Sequence, residues 1–350
     1  MGVKNKKVVL VDVHGMNGGA EKVLLALNEI LHESFKSVCF FPKNSFMSEK
    51  KMTKNVLNYD GVFNLAWKIS KEKADIVVLN NKTALKYLLI LKIFLPKSKI
   101  IFYSHSFFRT NAERMFYDLL CVPFLYKVIC VSDSLRRNHT FNLKKHLDKH
   151  IKIYNGFDYK YPDTVKKQKD NIKIFFWAQF RVWKGHLFFI DVLNSISKIN
   201  DKIELHLVAN IQDAESKKVF ELIKQKIKQY NLENIVYFHL DISNHLHFIN
   251  ENADISVSCS NLKDPLPTVI IESLSMGLPI LAVNLGGSKE ILKEFPFMLS
   301  SFDENEFADK LNFLINELSN LEKQKLQEYY RLNFTKDIYK KNIINFFQNL

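Results

Sequence analysis

The chain has 350 residues, 47% apolar and 25% charged, ordinary globular values that leave room for two domains of about 150 to 200 residues each. Its longest apolar runs, 87–95 and 119–131, are broken by Lys92, Pro123 and Lys127 and fall short of the ~18 residues a membrane-spanning helix needs. The net charge of +13 leaves polyanions as partners to consider: nucleic acid, an anionic membrane surface or phosphorylated substrates.

Cys39, Cys121, Cys130 and Cys259 sit in apolar runs without metal-ligand spacing, which predicts a reducing compartment with no disulfide and no zinc. The start, MGVKNKKVVLVDV, lacks the apolar core of a signal peptide, so a cytoplasmic location is expected.

In chain order, 7–13 reads as a first buried strand. A glycine loop follows, with Gly18 and Gly19 just ahead of the helix-like AEKVLLALNEIL. Such a loop can admit a phosphate or sugar, or can simply turn the chain. Short apolar runs at 38–41, 76–79, 100–103 and 128–131 alternate with segments of helical spacing, the pattern of a parallel doubly wound sheet. His105 falls just after one of these strands, where such sheets meet their ligands, although a lone histidine also serves structure. The turn Asn155-Gly156 leads toward Tyr161, and lysine-rich 162–170 reads as an exposed linker.

A second series opens with the strand IKIFFWAQ. Directly after it come Arg181, Lys184 and Gly185. Two cations three residues apart at a strand-to-helix junction suit a diphosphate, the arginine as a planar fork and the lysine as a point charge. A solvated basic turn is the plainer alternative. Further strands are expected at 204–208 and 235–238, with KKVFELIKQKIKQY as a helix between them.

The stretch DPLPTVIIESLSMGLPILAVNLGG carries the densest signal. Before it, Ile255, Val257 and Cys259 alternate with polar residues as in a strand with one face buried. Pro265 and Pro267 forbid regular helix, and Thr268 is placed to cap the turn Val269-Ile270-Ile271. A strand at 280–283 closes on Gly286-Gly287, whose bare backbone can approach a ligand. Two helix N-termini would then face one crevice and attract phosphate. Glu272 shares a helix face with Thr268 and can accept from the vicinal hydroxyls of a ribose, while Asp264 can accept from sugar hydroxyls. An ordinary strand-loop-helix with a surface acid is the competing reading.

Taken together these residues resemble the retaining glycosyltransferase family numbered four, the glycogen-synthase or group 1 type. Gly18-Gly19-Ala20-Glu21 resembles its early glycine loop, His105 the histidine after its fourth strand, and Asn155-Gly156-Phe157-Asp158 its Asn-Gly-x-Asp. Arg181 and Lys184-Gly185 resemble its diphosphate pair, and Asp264 through Glu272 its two acids separated by seven residues. Five pieces stand in the family's order. The resemblance implies an α/β chain of GT-B type, with two Rossmann-like doubly wound domains facing a central cleft. The first, 1–161, would bind the acceptor; after the linker, 171–336 would bind the nucleotide sugar; 337–350 would return to the first domain.

The activity implied is transfer of a sugar, with retention, from a nucleoside diphosphate sugar, UDP first among them, to a glycan or lipid-linked glycan. His105, Arg181, Lys184 and Asp264 would be the catalytic set. Gly18, Gly19, Leu266, Pro267, Thr268, Val269 and Glu272 would join Arg181, Lys184 and Asp264 at the donor. No DxD motif occurs, so neither metal nor cofactor is expected. Three departures bear on donor choice: Asp264 stands for the usual Glu, Gln179-Phe180 replaces a glycine, and Leu266-Pro267 stands where Phe-Gly is common. A composition rich in Lys, Asn, Ile and Phe suggests bacterial surface polysaccharide or lipooligosaccharide synthesis. Lys82, Lys86, Lys92, Lys97 and Lys99 flank 87–95, which suits either peripheral contact with an anionic membrane or a buried helix. The alternatives are a nucleotide-sugar epimerase of the same architecture and a non-catalytic basic protein. The 29 phenylalanines form no RNP-like pattern, which argues against nucleic acid.

Overall fold

A computed structural model describes residues 6–16, 18–49, 55–141, 146–159, 161, 171–198, 200 and 202–350. The chain divides into two units, Met1–Gly156 with Lys336–Leu350, and Phe157–Thr335. The first division falls ahead of the expected Tyr161, because Phe157 and Tyr159 pair with the second unit: Phe157 N–H donates to Phe334 O and Tyr330 OH to Phe157 O, both at 2.9 Å. The expected linker, 162–170, lies outside the described residues.

The first unit holds a parallel sheet of β1 (Lys7–Val11), β2 (Lys36–Pro42), β3 (Val56–Tyr59), β4 (Ile76–Asn80), β5 (Lys99–Ser104), β6 (Lys127–Cys130) and β7 (His150–Lys152), in the order β3-β2-β1-β4-β5-β6-β7. All five residues of β4 are buried, the unbroken apolar run of a strand covered on both faces. The direction of winding reverses between β1 and β4. Edge strands β3 and β7 escape the sequence pattern. Two of the four β3 residues are exposed, and β7 has three residues.

The last helix, Lys336–Gln348, belongs to this unit and buries Tyr339, Ile343 and Phe347. Phe347 packs edge-on against Phe35 at 6.1 Å. Tyr103 OH donates to Asn155 Oδ1 at 2.7 Å and lies 3.1 Å from Tyr339 OH. Tyr103 of β5 therefore ties the Asn-Gly turn to this helix.

The second unit has β8 (Ile172–Trp177), β9 (Ile203–Ala209), β10 (Val236–Leu240), β11 (Ile255–Ser258), β12 (Ile280–Val283) and β13 (Leu299–Ser300), again parallel, ordered β10-β9-β8-β11-β12-β13. Its winding reverses between β8 and β11. The expected one-faced β11 is instead buried throughout. Ser256 and Ser258 are tolerated because their hydroxyls need only local partners; Ser256 Oγ lies 2.9 Å from Ser273 Oγ and donates to Pro279 O at 3.1 Å.

Of the segment 87–95, the short turn Lys82–Tyr87 and helix Leu88–Phe94 bury Leu88 and Leu91 while Ile93 is 77% exposed. The helix is half core and half surface. Among the described residues no helix is long and apolar enough to cross a membrane, and the four cysteines are buried and free.

Candidate active site in the second unit

In a doubly wound sheet, ligands sit beyond the carboxyl ends of the strands where the winding reverses. Here that point lies after β8 and β11. Strand β8 ends in Trp177, followed by Arg181, the short turn Val182–Lys184 and the helix His186–Ser197. Gly185 joins turn to helix at φ 79°, and a Cβ there would collide with the main-chain oxygen of Cys259 just past β11. Only glycine meets both the left-handed backbone and the close approach, so this position fixes where Lys184 stands.

A cavity of about 380 Å³ opens at this point, lined by Trp177, Gln179, Trp183, Lys184, Asn210, Gln212, His245, Thr268, Val269 and Glu272. Four of the expected donor-site residues thus meet: Lys184, Thr268, Val269 and Glu272. Glu272 comes from the helix Thr268–Met276 and is buried. Its Oε2 accepts from Trp177 Nε1 at 2.6 Å and its Oε1 from Tyr159 OH at 3.1 Å. Burial first, and then the Glu272 charge, push the Tyr159 phenol well above its ordinary pKa, so Tyr159 stays a neutral donor. A carboxylate has about four acceptor positions; with one used on each oxygen, Glu272 can still accept from two vicinal hydroxyls.

Lys184 Nζ lies 4.1 Å from the centre of the Trp183 ring and 3.4 Å from Asp264 Oδ2. Asp264 stands behind the lysine as its counter-ion and organises its own loop, since its Oδ1 accepts from Leu266 N–H at 3.2 Å. Leu266 is buried, and Pro267 is the residue that precedes the helix. Thr268 is itself the first helical residue, and no side chain caps this end. The expected threonine cap is therefore corrected: Pro267 holds the non-helical φ/ψ that a cap residue needs, leaving Thr268 inside the first turn. The uncapped N–H groups beside it form a positive end of the kind that draws anions.

Gly286 and Gly287 also differ from expectation. A Cβ on Gly286 would stand 2.6 Å from Asp264 O, and Gly287 N–H donates to that oxygen at 2.7 Å. Their bare backbone admits the 264–267 loop rather than a ligand, and the helix after them, Ser288–Ile291, is one turn long.

Arg181 is turned away from the cavity lining. Its Nη1 donates to Asp213 Oδ1 at 2.7 Å, its Nη2 to Asp213 Oδ2, and Glu215 lies at 3.5 Å. The Arg181 hydrogen bonds are the main reason that the Asp213 carboxyl is held below the usual range. Asp213 also caps the helix Ala214–Gln229 in a reciprocal box with Ser216. Two cations suited to a diphosphate each carry a resident carboxylate.

In the first unit, Gly18 precedes the helix Gly19–His32. The loop after β1 is organised by Asp12: its Oδ1 accepts from His14 and Gly15 N–H at 2.8 and 2.7 Å, and its Oδ2 from Asn80 Nδ2 at 2.7 Å. Burial and then Asp12 raise the pKa of Glu21 beside it. The N–H groups of His14 and Gly15 are thus committed to Asp12, and Glu21 sets a second acid beside Gly18. His105 follows β5, its ring tilted by 42° against that of Tyr103 with centres 4.4 Å apart. Its Nε2 is buried without a protein partner, and burial lowers its pKa to about 3, so the ring is neutral and one nitrogen is unpartnered.

Trp177, Tyr159, Asp213 and Asp12 were not singled out from sequence. Trp177 ends an apolar strand as an indole with a polar edge, a readable hint. Asp213 starts D-A-E-S before an amphipathic run, the signature of a helix cap. Tyr159 acts through a contact distant in the chain, and Asp12 joins its own loop to Asn80, 68 positions away.

The architecture of two doubly wound parallel sheets is that of GT-B glycosyltransferase structures. Within it, residues 159–332, nearly all of the second unit, match the family model for glycosyl transferases group 1. Anabaena HepE in complex with UDP aligns with TM-score 0.84 at 18% identity, over 98% of this chain and 100% of its own. A glycosyltransferase from Rickettsia africae gives 0.83 at 16%, over 99% and 98%. The apo form of WaaB, a lipopolysaccharide outer core galactosyltransferase, gives 0.79 at 15%, over 99% and 100%. No curated protein sequence matches the chain.

Proposed function

We propose that this chain is a retaining glycosyltransferase that moves a sugar from a nucleoside diphosphate sugar, UDP-linked by preference, to a hydroxyl of a glycan or lipid-linked glycan in bacterial surface polysaccharide or lipooligosaccharide synthesis. One observation carries the reading: a cavity at the reversal point of a group 1 domain combines Lys184, an uncapped helix N-terminus and a two-donor-held Glu272. The structures of HepE with UDP and with UDP-glucose support the choice of nucleotide.

As the glycosidic bond breaks, charge grows on the departing diphosphate. Lys184, the helix N–H groups and Arg181, once drawn off Asp213, stabilise it. Glu272 holds the ribose hydroxyls. Asp264 keeps Lys184 in place and accepts from the donor sugar. The unpartnered Nε2 of neutral His105 accepts from or donates to sugar hydroxyls according to tautomer. The diphosphate itself takes the acceptor proton on the retained face, so no protein nucleophile and no metal are assigned. The working place is the cytoplasm. The exposed Leu89, Ile93 and Phe94, beside Lys86, Lys92 and Lys97, suit peripheral contact with anionic lipid.

Calorimetric titration of UDP in EDTA is the test. Lys184→Ala should weaken binding by roughly 10- to 150-fold, the value of one charge-assisted hydrogen bond of ~1.5 to 3 kcal/mol. Equal UDP binding by both proteins would remove the cavity from the argument.

A further inference from the structure

We propose that the first unit carries a second anion site, a lysine-lined cavity at the amino ends of β5, β6 and β7 that takes the phosphate groups of a phosphomonoester or pyrophosphate ligand. It goes beyond the donor-site reading and does not depend on it.

The cavity measures about 540 Å³ and is walled by Lys92, Lys97, Lys99, Lys127 and Lys149, with Asp148 as its carboxylate. Register explains the crowding. Lys99 opens β5, Lys127 opens β6, and Lys149 immediately precedes β7. Because these strands are parallel neighbours, their first residues line one edge of the sheet. His105 stands past the opposite, carboxyl edge.

Three of the ammonium groups currently rest on main-chain carbonyl oxygens. Lys92 donates to Ser98 O at 3.0 Å, Lys149 to Val122 O at 2.9 Å and Pro123 O at 3.2 Å, and Lys127 to Asp148 O at 2.9 Å. The Asp148 carboxylate is 4.0 Å from Lys127 and its side chain is 82% exposed. Lys99 donates to the main-chain oxygen of Leu350. A carboxylate at that end would still leave five ammonium groups facing two acids.

The strain of this arrangement shows on Lys149, whose pKa is lowered by burial first and also by Lys127 and Lys92, against the pull of Asp148. A multiply charged anion would relieve it. Lysine is a compact point charge on a flexible stem, suited to the several oxygens of phosphate, and the volume exceeds what one phosphate fills. Phe124 and Tyr126 supply an exposed apolar rim for the rest of the ligand.

The test uses the full chain saturated with UDP, so that the donor cavity is filled, and titrates in sodium pyrophosphate by calorimetry. Wild type should show a second binding event that weakens at least ~10-fold in Lys127→Gln/Lys149→Gln, with UDP binding unchanged as the control for folding. Lys97→Gln, at an exposed position, should weaken it less. A parallel arm sediments phosphatidylcholine vesicles containing phosphatidic acid at about 0.15 M salt. Vesicle binding that pyrophosphate displaces and the double variant loses identifies a lipid headgroup as the source. Pyrophosphate binding without vesicle binding identifies a free phosphorylated ligand. The proposal is overturned if neither probe binds, or if both bind the double variant as well as wild type. Failure of UDP alone to bind would strike the donor reading and leave this site standing.

Discussion

Trp177→Phe isolates one bond at the centre of the candidate active site. The indole Nε1 donates to Glu272 Oε2 at 2.6 Å, with Trp177 5% and Glu272 8% exposed. Phenylalanine keeps the aromatic stacking volume nearest the backbone and removes the donor. A hydrogen bond to a charged group is worth ~1.5 to 3 kcal/mol net, and leaving a buried carboxylate short of a partner adds to the cost. With Tyr159 still donating, about 2 kcal/mol is a fair expectation. For a unit of this size each kcal/mol moves Tm by roughly 2 to 4 °C, so the second unit should melt ~4 to 8 °C lower. UDP affinity should fall about tenfold if Glu272, no longer held, turns from the ribose, since ~1.4 kcal/mol corresponds to that factor. Differential scanning calorimetry with and without UDP, on Trp177→Phe, Glu272→Gln and the double variant, reads both quantities. The double variant should lose less than the sum of the singles, by about 1 kcal/mol or more. Strictly additive losses would show that Trp177 and Glu272 do not act as a pair, and the account of how Glu272 is held would fall.

The remaining expectations probe other parts of the molecule. Asp213→Asn keeps an oxygen for the helix cap but removes the charge that engages Arg181; UDP should bind more tightly, and weaker binding by calorimetry would mean that the pair positions Arg181 rather than competing for it. His150, bonded to Tyr117 OH at 2.6 Å, has its pKa lowered to about 4 chiefly by burial. The unfolded chain therefore takes up this proton near pH 6.5 and the folded one only near 4, so stability is complete above pH 6.5 and falls toward pH 4 at up to ~1.4 kcal/mol per unit. His150→Gln should flatten that slope in urea titrations, and an unchanged slope would assign it to other groups. Phe347→Ala should cost ~3 to 5 kcal/mol, because the ring is fully buried and packs on Phe35. It should lower the melting of the first unit while UDP binding, proposed for the second, persists.

What the sequence revealed follows from where the signal is local. A parallel strand buried on both faces, such as β4, is an apolar run that reads directly, as does the order of loop, cations and acids around β8 and β11, whereas the serines of β11 made a fully buried strand look one-faced. Strands β3 and β7 were hidden because edge positions and three-residue lengths carry little pattern. Lys184, Thr268, Val269 and Glu272 converge because all four follow strands that meet at one reversal point. The residues that hold them do not show. Tyr159 reaches Glu272 across 113 positions and Arg181 meets Asp213 across 32, distances over which only the folded chain reports proximity. Gly286 and Gly287 were read as a place where a ligand comes close, but the group that approaches Gly286 is the protein's own backbone, as it is at Gly185.

The return of Lys336–Gln348 to the first unit has a consequence for biosynthesis. A ribosome releases the chain from its amino end at about 5 to 20 residues per second, so the strands of the first sheet emerge early. The helix bearing Tyr339, Ile343 and Phe347, which completes their core, comes last. The second unit, Phe157–Thr335, is continuous and has everything it needs before that helix is made. Vectorial synthesis should therefore deliver a finished second unit while the older first unit is still unsealed, its apolar surface around Phe35 waiting for the helix Lys336–Gln348. Nascent chains arrested before Lys336 should accordingly recruit chaperones to their amino-terminal half.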